Sequence, residues 1–249
     1  MSSKHLFALF SHQVPTTTKN NAIVTFADAD LWRRITQVLR LTGGDYLILF
    51  NDTMQVCVEL DATTFSNKKN IISGVVESYA QHALYTPAIH AMIGLTKREA
   101  FEEIVYTCSQ LGITSLTPLL TNRVHRNWIT DKDMVRLHKI MIAACEQAKQ
   151  FMPAELRPPL QLSNVLIPRM QNAFVCTPNG QPLLQNMQFI VEARPEELTI
   201  FIGPEGGFDD HEELLLTDAG VQQVALGKSI LRTQDAAQVL LGSWRSLPI

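Results

Sequence analysis

The apolar run Leu198-Thr199-Ile200-Phe201-Ile202 passes directly into Gly203-Pro204-Glu205-Gly206-Gly207, and no other stretch of the chain restricts the fold as tightly. A short, largely apolar strand of this kind belongs in a parallel sheet covered on both faces by helices. The turn that follows gathers three glycines around a proline and a carboxylate, so main chain rather than side chain can approach a ligand. Asp209-Asp210 then supplies the N-cap of a helix running through Glu212, Glu213 and Leu216. Open α/β sheets bind ligands beyond the carboxyl ends of their strands, which puts this turn where a site is expected. An ordinary strand-to-helix loop is the competing reading.

The same texture extends back to Tyr85-Thr86-Pro87. Strands are predicted over Ile89–Leu95, Ile113–Leu116, Ala173–Cys176, Leu198–Ile202 and Val221–Leu226, with helices over Arg98–Leu111 and Asp131–Gln150. Ahead of them, residues 1 to about 73 alternate short apolar runs with turn signals, a pattern suited to a small antiparallel barrel or sandwich. Its clearest marks are Thr42-Gly43-Gly44-Asp45 before Tyr46–Phe50, Asn51-Asp52 before Val56–Leu60, and a helix opened by Asp28 over Leu31–Leu41. The polar segment Ser66–Asn70 reads as a loop before a strand over Ile71–Glu77. The expected organisation is α/β, with one domain over residues 1–73 and a second over 74–249.

With 46% apolar residues in a chain of 249, one large core or two smaller ones can form. No apolar stretch approaches the roughly 18 residues of a membrane span, and the N-terminal run Leu6–Phe10 is too short for a secretory leader. A cytoplasmic protein with no membrane association is expected. Cys57, Cys108, Cys145 and Cys176 are scattered, with no C-x-x-C pair and no His at ligand spacing, so reduced thiols and no metal are expected. Cys145, on the long helix beside Glu146, lacks an adjacent base and reads as core; His138 and His211 have no evident partner. A net charge of −3 restricts any nucleic-acid surface to a local patch.

A second turn, Leu226-Gly227-Lys228-Ser229, also follows a strand and precedes a helix beginning near Thr233. Gly227-Lys228-Ser229 looks like the end of a phosphate-binding loop, but that loop needs a glycine five positions earlier, where Gln222 stands. An ATPase is excluded on that count.

Taken together, Ile202-Gly203-Pro204-Glu205-Gly206-Gly207-Phe208 and Leu226-Gly227-Lys228-Ser229-Ile230-Leu231-Arg232-Thr233 resemble the SPOUT-superfamily methyltransferases. Among these the chain is similar to the RsmE family, which methylates N3 of a uridine in small-subunit ribosomal RNA. The resemblance covers essentially the whole chain. Val38-Leu39-Arg40-Leu41 and Gly44-Asp45 look like a PUA-like RNA-binding barrel, and Gln110–Ile113, Pro118, Arg123 and Ala143–Gln147 match landmarks of the catalytic domain.

The resemblance implies a C-terminal parallel sheet with a trefoil knot, a homodimer, and small-subunit ribosomal RNA or the assembled subunit as partner. It implies S-adenosylmethionine as cofactor, held by three loops that here comprise Thr177 and Pro178; Ile202, Gly203, Pro204, Glu205 and Gly207; and Leu226, Gly227, Ile230, Leu231 and Arg232. Arg232 is the first candidate for stabilising or orienting an anionic base, against a simple helix-start cap or salt bridge. Glu205 either orients the base or neutralises charge, or else binds loop amides. Arg40, Lys97, Arg98, Arg123 and Arg126 are the candidate RNA contacts, with solvated loop residues as the alternative for the latter four. Thr107, Gln110, Gln150 and Gln234 stand where the family usually carries charge, and Arg34 where a histidine is common. These departures leave open a non-catalytic RNA-binding or ribosome-assembly relative, and a methyltransferase with another target nucleotide.

Overall fold

The computed structural model describes residues 6–15, 19–66, 70–83, 85–124, 127–165 and 170–248. They divide into two compact units, one of residues 1–83 with 145–153, the other of residues 84–144 with 154–249.

The first unit contains β1 (Phe7–Phe10), β2 (Ile23–Ala27), α1 (Ala29–Arg33), β3 (Tyr46–Phe50), β4 (Met54–Leu60), α2 (Thr63–Ser66) and β5 (Ile71–Gln81). The strands lie in the order β1-β3-β4-β5-β2. Asn51 fixes the β3–β4 turn by accepting from the N–H groups of Thr53 and Met54, both at 2.9 Å. β4 buries every second side chain, from Met54 to Leu60, which is the alternation of a sheet packed on one face. The sheet is mixed rather than antiparallel throughout, because β1 pairs in parallel with β3. β5 continues to Gln81 beside β4, so the domain boundary expected after residue 73 falls inside a strand.

The helix expected over Leu31–Leu41 begins as predicted, with Asp28 accepting from the Leu31 N–H at 2.9 Å. It widens into a π-helical turn over Arg34–Val38, with Leu39 as C-cap, and the next residue, Arg40, has a left-handed φ of 54°. The segment 145–153 joins this unit through a small cluster in which Cys145 packs with Ala8 and Phe50. Burial pushes the Cys145 thiol up to about 12, consistent with a core residue. Glu146 accepts from the two terminal guanidinium nitrogens of Arg34, at 3.0 and 2.5 Å, and from the Phe10 N–H at 2.9 Å. Arg34 therefore serves this unit's own packing.

The second unit contains β6 (Ala88–Gly94), α3 (Arg98–Gln110), β7 (Ser115–Leu120), most of α4 (Asp131–Ala148), β8 (Glu155–Leu156), β9 (Leu160–Gln161), α5 (Leu162–Val165), β10 (Ala173–Pro182), α6 (Leu183–Ala193), β11 (Glu197–Ile202), α7 (Asp210–Asp218), β12 (Gln222–Ala225) and α8 (Thr233–Arg245). Its sheet runs β12-β10-β11-β6-β7-β8, with β9 also on β7, and every pairing is parallel. The buried parallel sheet expected from the apolar runs is present. Phe101, Phe174 and Trp244 are fully buried in its main core, each contributing roughly 1.5–3 kcal/mol of transfer free energy. Trp244 packs edge-on against Phe174 and donates its indole N–H to Asn186 at 3.0 Å, fixing α8 against α6. Among the described residues no helix is long and apolar enough to cross a membrane.

Candidate active site

The loops that leave the carboxyl ends of β11 and β12, together with an irregular stretch inside the adjacent strand β10, enclose one cavity of about 480 Å³. That volume falls within the range of about 300–1,000 Å³ usual for small-molecule sites. All twelve residues expected to hold a cofactor line it: Thr177, Pro178, Ile202, Gly203, Pro204, Glu205, Gly207, Leu226, Gly227, Ile230, Leu231 and Arg232.

The central loop is the glycine turn. Gly207 adopts φ +70°, a conformation that side chains rarely take, and its N–H donates to the Pro204 carbonyl at 2.8 Å. Asp209 caps α7 by accepting from the Glu212 N–H at 2.8 Å, while Glu212 accepts from the Asp209 N–H at 2.9 Å. This reciprocal box is the pattern carried by an Asp followed three residues later by Glu. It holds the Asp209 carboxyl below the usual carboxylate range, chiefly through the Glu212 N–H and next through the Asn122 amide.

Two glycines outside the predicted motifs are required by close approach. A Cβ at Gly94, the last residue of β6, would collide with Pro204, so the turn can settle on the strand end only over a glycine. A Cβ at Gly180 would collide with the main chain of Val224. Gly180 lies where β10 shifts register against β12, between Cys176 and Gln181, and this irregularity carries Thr177 and Pro178 to the cavity wall. A lone glycine between Asn179 and Gln181 gave no signal of that role in the sequence.

The polar candidates occupy different settings. Arg232 is exposed at the N-cap position of α8, and its side chain makes no capping hydrogen bond or ion pair among the described residues. Glu205 is exposed at the cavity and accepts the Lys97 N–H at 3.3 Å, at the start of α3. Lys97 is exposed. Arg98 pairs with Asp133 and lies 4.7 Å over the Trp128 ring. Arg123 is exposed but turned inward, one nitrogen donating to the carbonyls of Gly206 and Phe208 at 3.1 and 2.9 Å. Arg40 is exposed in the first unit, and Arg126 lies outside the described residues. His138 and His211 are exposed. Cys176 also lines the cavity, with its thiol pushed up to about 12 by burial, which leaves it un-ionised at neutral pH.

A family model described as an RNA methyltransferase domain matches residues 85–245. The chain is 30% identical over 231 residues to the ribosomal RNA small subunit methyltransferase E of Synechocystis, spanning 91% of this chain and 74% of that one. It is 27% identical to the protein of the same name from Rickettsia conorii, over 84% of each. Among solved structures, a Legionella pneumophila protein in complex with bound S-adenosylmethionine matches with a TM-score of 0.80 at 25% identity, over 98% of both chains. The Neisseria gonorrhoeae ribosomal RNA small subunit methyltransferase E, also bound to S-adenosylmethionine, shares the fold at 21% identity, with a TM-score of 0.79 over 97% of this chain and 98% of that one. With an all-parallel catalytic sheet and the glycine turn in place, the chain belongs to the ribosomal RNA small subunit methyltransferase E family, of the SPOUT RNA methyltransferases.

Proposed function

We propose that this protein transfers a methyl group from S-adenosylmethionine to N3 of a uridine in small-subunit ribosomal RNA, acting in the cytoplasm as a homodimer. The observation that carries the reading is the convergence of two strand-end loops and the irregular stretch of β10 on one cavity lined by every residue assigned to the cofactor. The lining fits that molecule chemically. Val175, Ile202, Leu226 and Leu231 offer apolar surface for a purine, and the glycine turn offers main-chain donors and acceptors. Glu205, Glu213 and Arg232 supply charge for a sulfonium and an amino-acid end. When bound, the cofactor supplies an electrophilic methyl carbon for in-line displacement.

What remains for the protein is to position the base and to favour its anionic form. Uracil N3 carries a proton and attacks poorly until that proton leaves, so orientation and charge stabilisation carry the rate. Arg232, exposed at the cavity and without an ion-pair partner among the described residues, is suited to meet the developing negative charge. Glu205 is tied to the start of α3 and contributes charge at the cavity rim. The threading of the C-terminal segments into a knot is inferred from family resemblance. The dimer reading is supported by Leu184 and Phe189 on α6 and Val239 on α8, apolar side chains exposed by 66, 39 and 39% on two helices that pack together.

Isothermal titration calorimetry of the purified protein with S-adenosylmethionine tests the reading, which expects saturable one-site binding. Failure to bind would remove the catalytic reading and favour a non-catalytic RNA-binding relative.

A further inference from the structure

We infer that Arg123 is a positioning residue for the cofactor turn rather than an RNA contact; this rests on the cofactor assignment proposed above. One guanidinium nitrogen bridges the carbonyls of Gly206 and Phe208, at 3.1 and 2.9 Å. These carbonyls flank Gly207, the residue at positive φ, and all three residues line the cavity. Two carbonyl oxygens that converge on one point repel when nothing lies between them, and a glycine separating them gives the main chain many ways to move apart. A cationic donor shared between them selects the conformer in which Gly206–Phe208 forms the cavity wall.

The neighbouring residue works on the same segment. The Asn122 N–H donates to buried Glu212 at 2.7 Å, and its side-chain amide donates to Asp209 at 2.8 Å. Asn122 and Arg123, the second and third residues after β7, therefore hold the turn and the first turn of α7 through four hydrogen bonds. The fit is also steric: a Cβ on Gly206 would lie 3.2 Å from the Arg123 Cβ, so a methyl group there would have to push the arginine stem aside by a few tenths of an ångström.

The test compares wild type, R123M, R123K and G206A, using calorimetry with S-adenosylmethionine, filter binding of small-subunit ribosomal RNA over a range of salt, and thermal melting. Methionine keeps an unbranched stem and removes the donor. R123M and G206A are expected to weaken cofactor binding about tenfold, with R123K intermediate. At saturating cofactor, kcat of R123M should return to within about twofold of wild type, since only ground-state positioning has been lost. RNA affinity and its salt dependence should stay at wild-type values, because a lost phosphate contact would lower the slope by about one. Wild-type cofactor affinity in R123M overturns the inference, whether or not RNA binding falls. If R123M fails to melt cooperatively, unchanged cofactor affinity in R123K and G206A overturns it. No cofactor binding by the wild-type protein overturns the proposed function itself, and this inference with it.

Discussion

The Thr233 hydroxyl donates to the carbonyl of Gly203 at 2.9 Å, so the first residue of α8 fastens the start of the glycine turn. Thr233 is buried, and the bond joins two loops separated by thirty residues in the chain. It gives the paired motifs Ile202–Phe208 and Leu226–Thr233 a physical basis, because each holds the other in place. T233V keeps the shape and removes the donor, leaving a carbonyl without that partner. The expected cost is about 1 kcal/mol in urea unfolding, with a loss of up to about fivefold in affinity for S-adenosylmethionine. An unchanged unfolding midpoint would show the bond to be immaterial.

Arg232, one residue earlier, is free of structural duties among the described side chains, so its removal should act on chemistry. R232A is expected to lower kcat about a hundredfold while changing cofactor Kd less than about threefold. Single-turnover methyl transfer alongside calorimetry separates the two quantities. Parallel losses in both would assign the guanidinium to cofactor binding.

Gly94 tests the seat of the turn. G94A places a methyl group against Pro204, and the strand end can move little because β6 lies between β7 and β11. Overpacking of this kind is expected to cost about 1–3 kcal/mol and to weaken the cofactor site together with the fold. Thermal melting with and without S-adenosylmethionine reads both effects; wild-type melting and ligand shift would contradict the packing.

The capping box gives a pH dependence with a defined sign. Asp209 has a folded-state value below its ordinary 3.8, lowered first by the Glu212 N–H and then by the Asn122 amide. Its charge contributes fully at pH values above 3.8, where both folded and unfolded chains are ionised. As pH falls through that value the unfolded chain takes up the proton first, and the contribution is lost as the folded value is passed. D209N should therefore be less stable than wild type at pH 7, and the difference should narrow in urea melts carried below pH 4. A difference independent of pH would place the cap's effect in its geometry and not its charge.

What the sequence disclosed follows from how local each signal is. The α7 cap was legible because Asp209 and Glu212 write their hydrogen bonds into a four-residue pattern. The strand expected over Ile113–Leu116 is displaced, with β7 at Ser115–Leu120, because Pro118 lies inside the strand and reads as a breaker when its partners are unknown. α6 carried no start signal: its N-cap is Pro182, with no side-chain hydrogen bond. The parallel pairing of β1 with β3 is a non-local choice that alternation cannot encode. At the site, glycine motifs marked the cavity, whereas the inward turn of Arg123 and the need for Gly94 and Gly180 depend on neighbours distant in the chain.

The protein's proposed reaction is methyl transfer to N3 of one uridine in small-subunit ribosomal RNA. Its most direct test incubates the purified protein and methyl-labelled S-adenosylmethionine with small subunits from a strain lacking the gene, followed by mass mapping of the RNA. One new methyl group on N3 of a single uridine, formed about a hundredfold more slowly with R232A, is the expected result. No label in the RNA, or label on another atom or nucleotide, would contradict it.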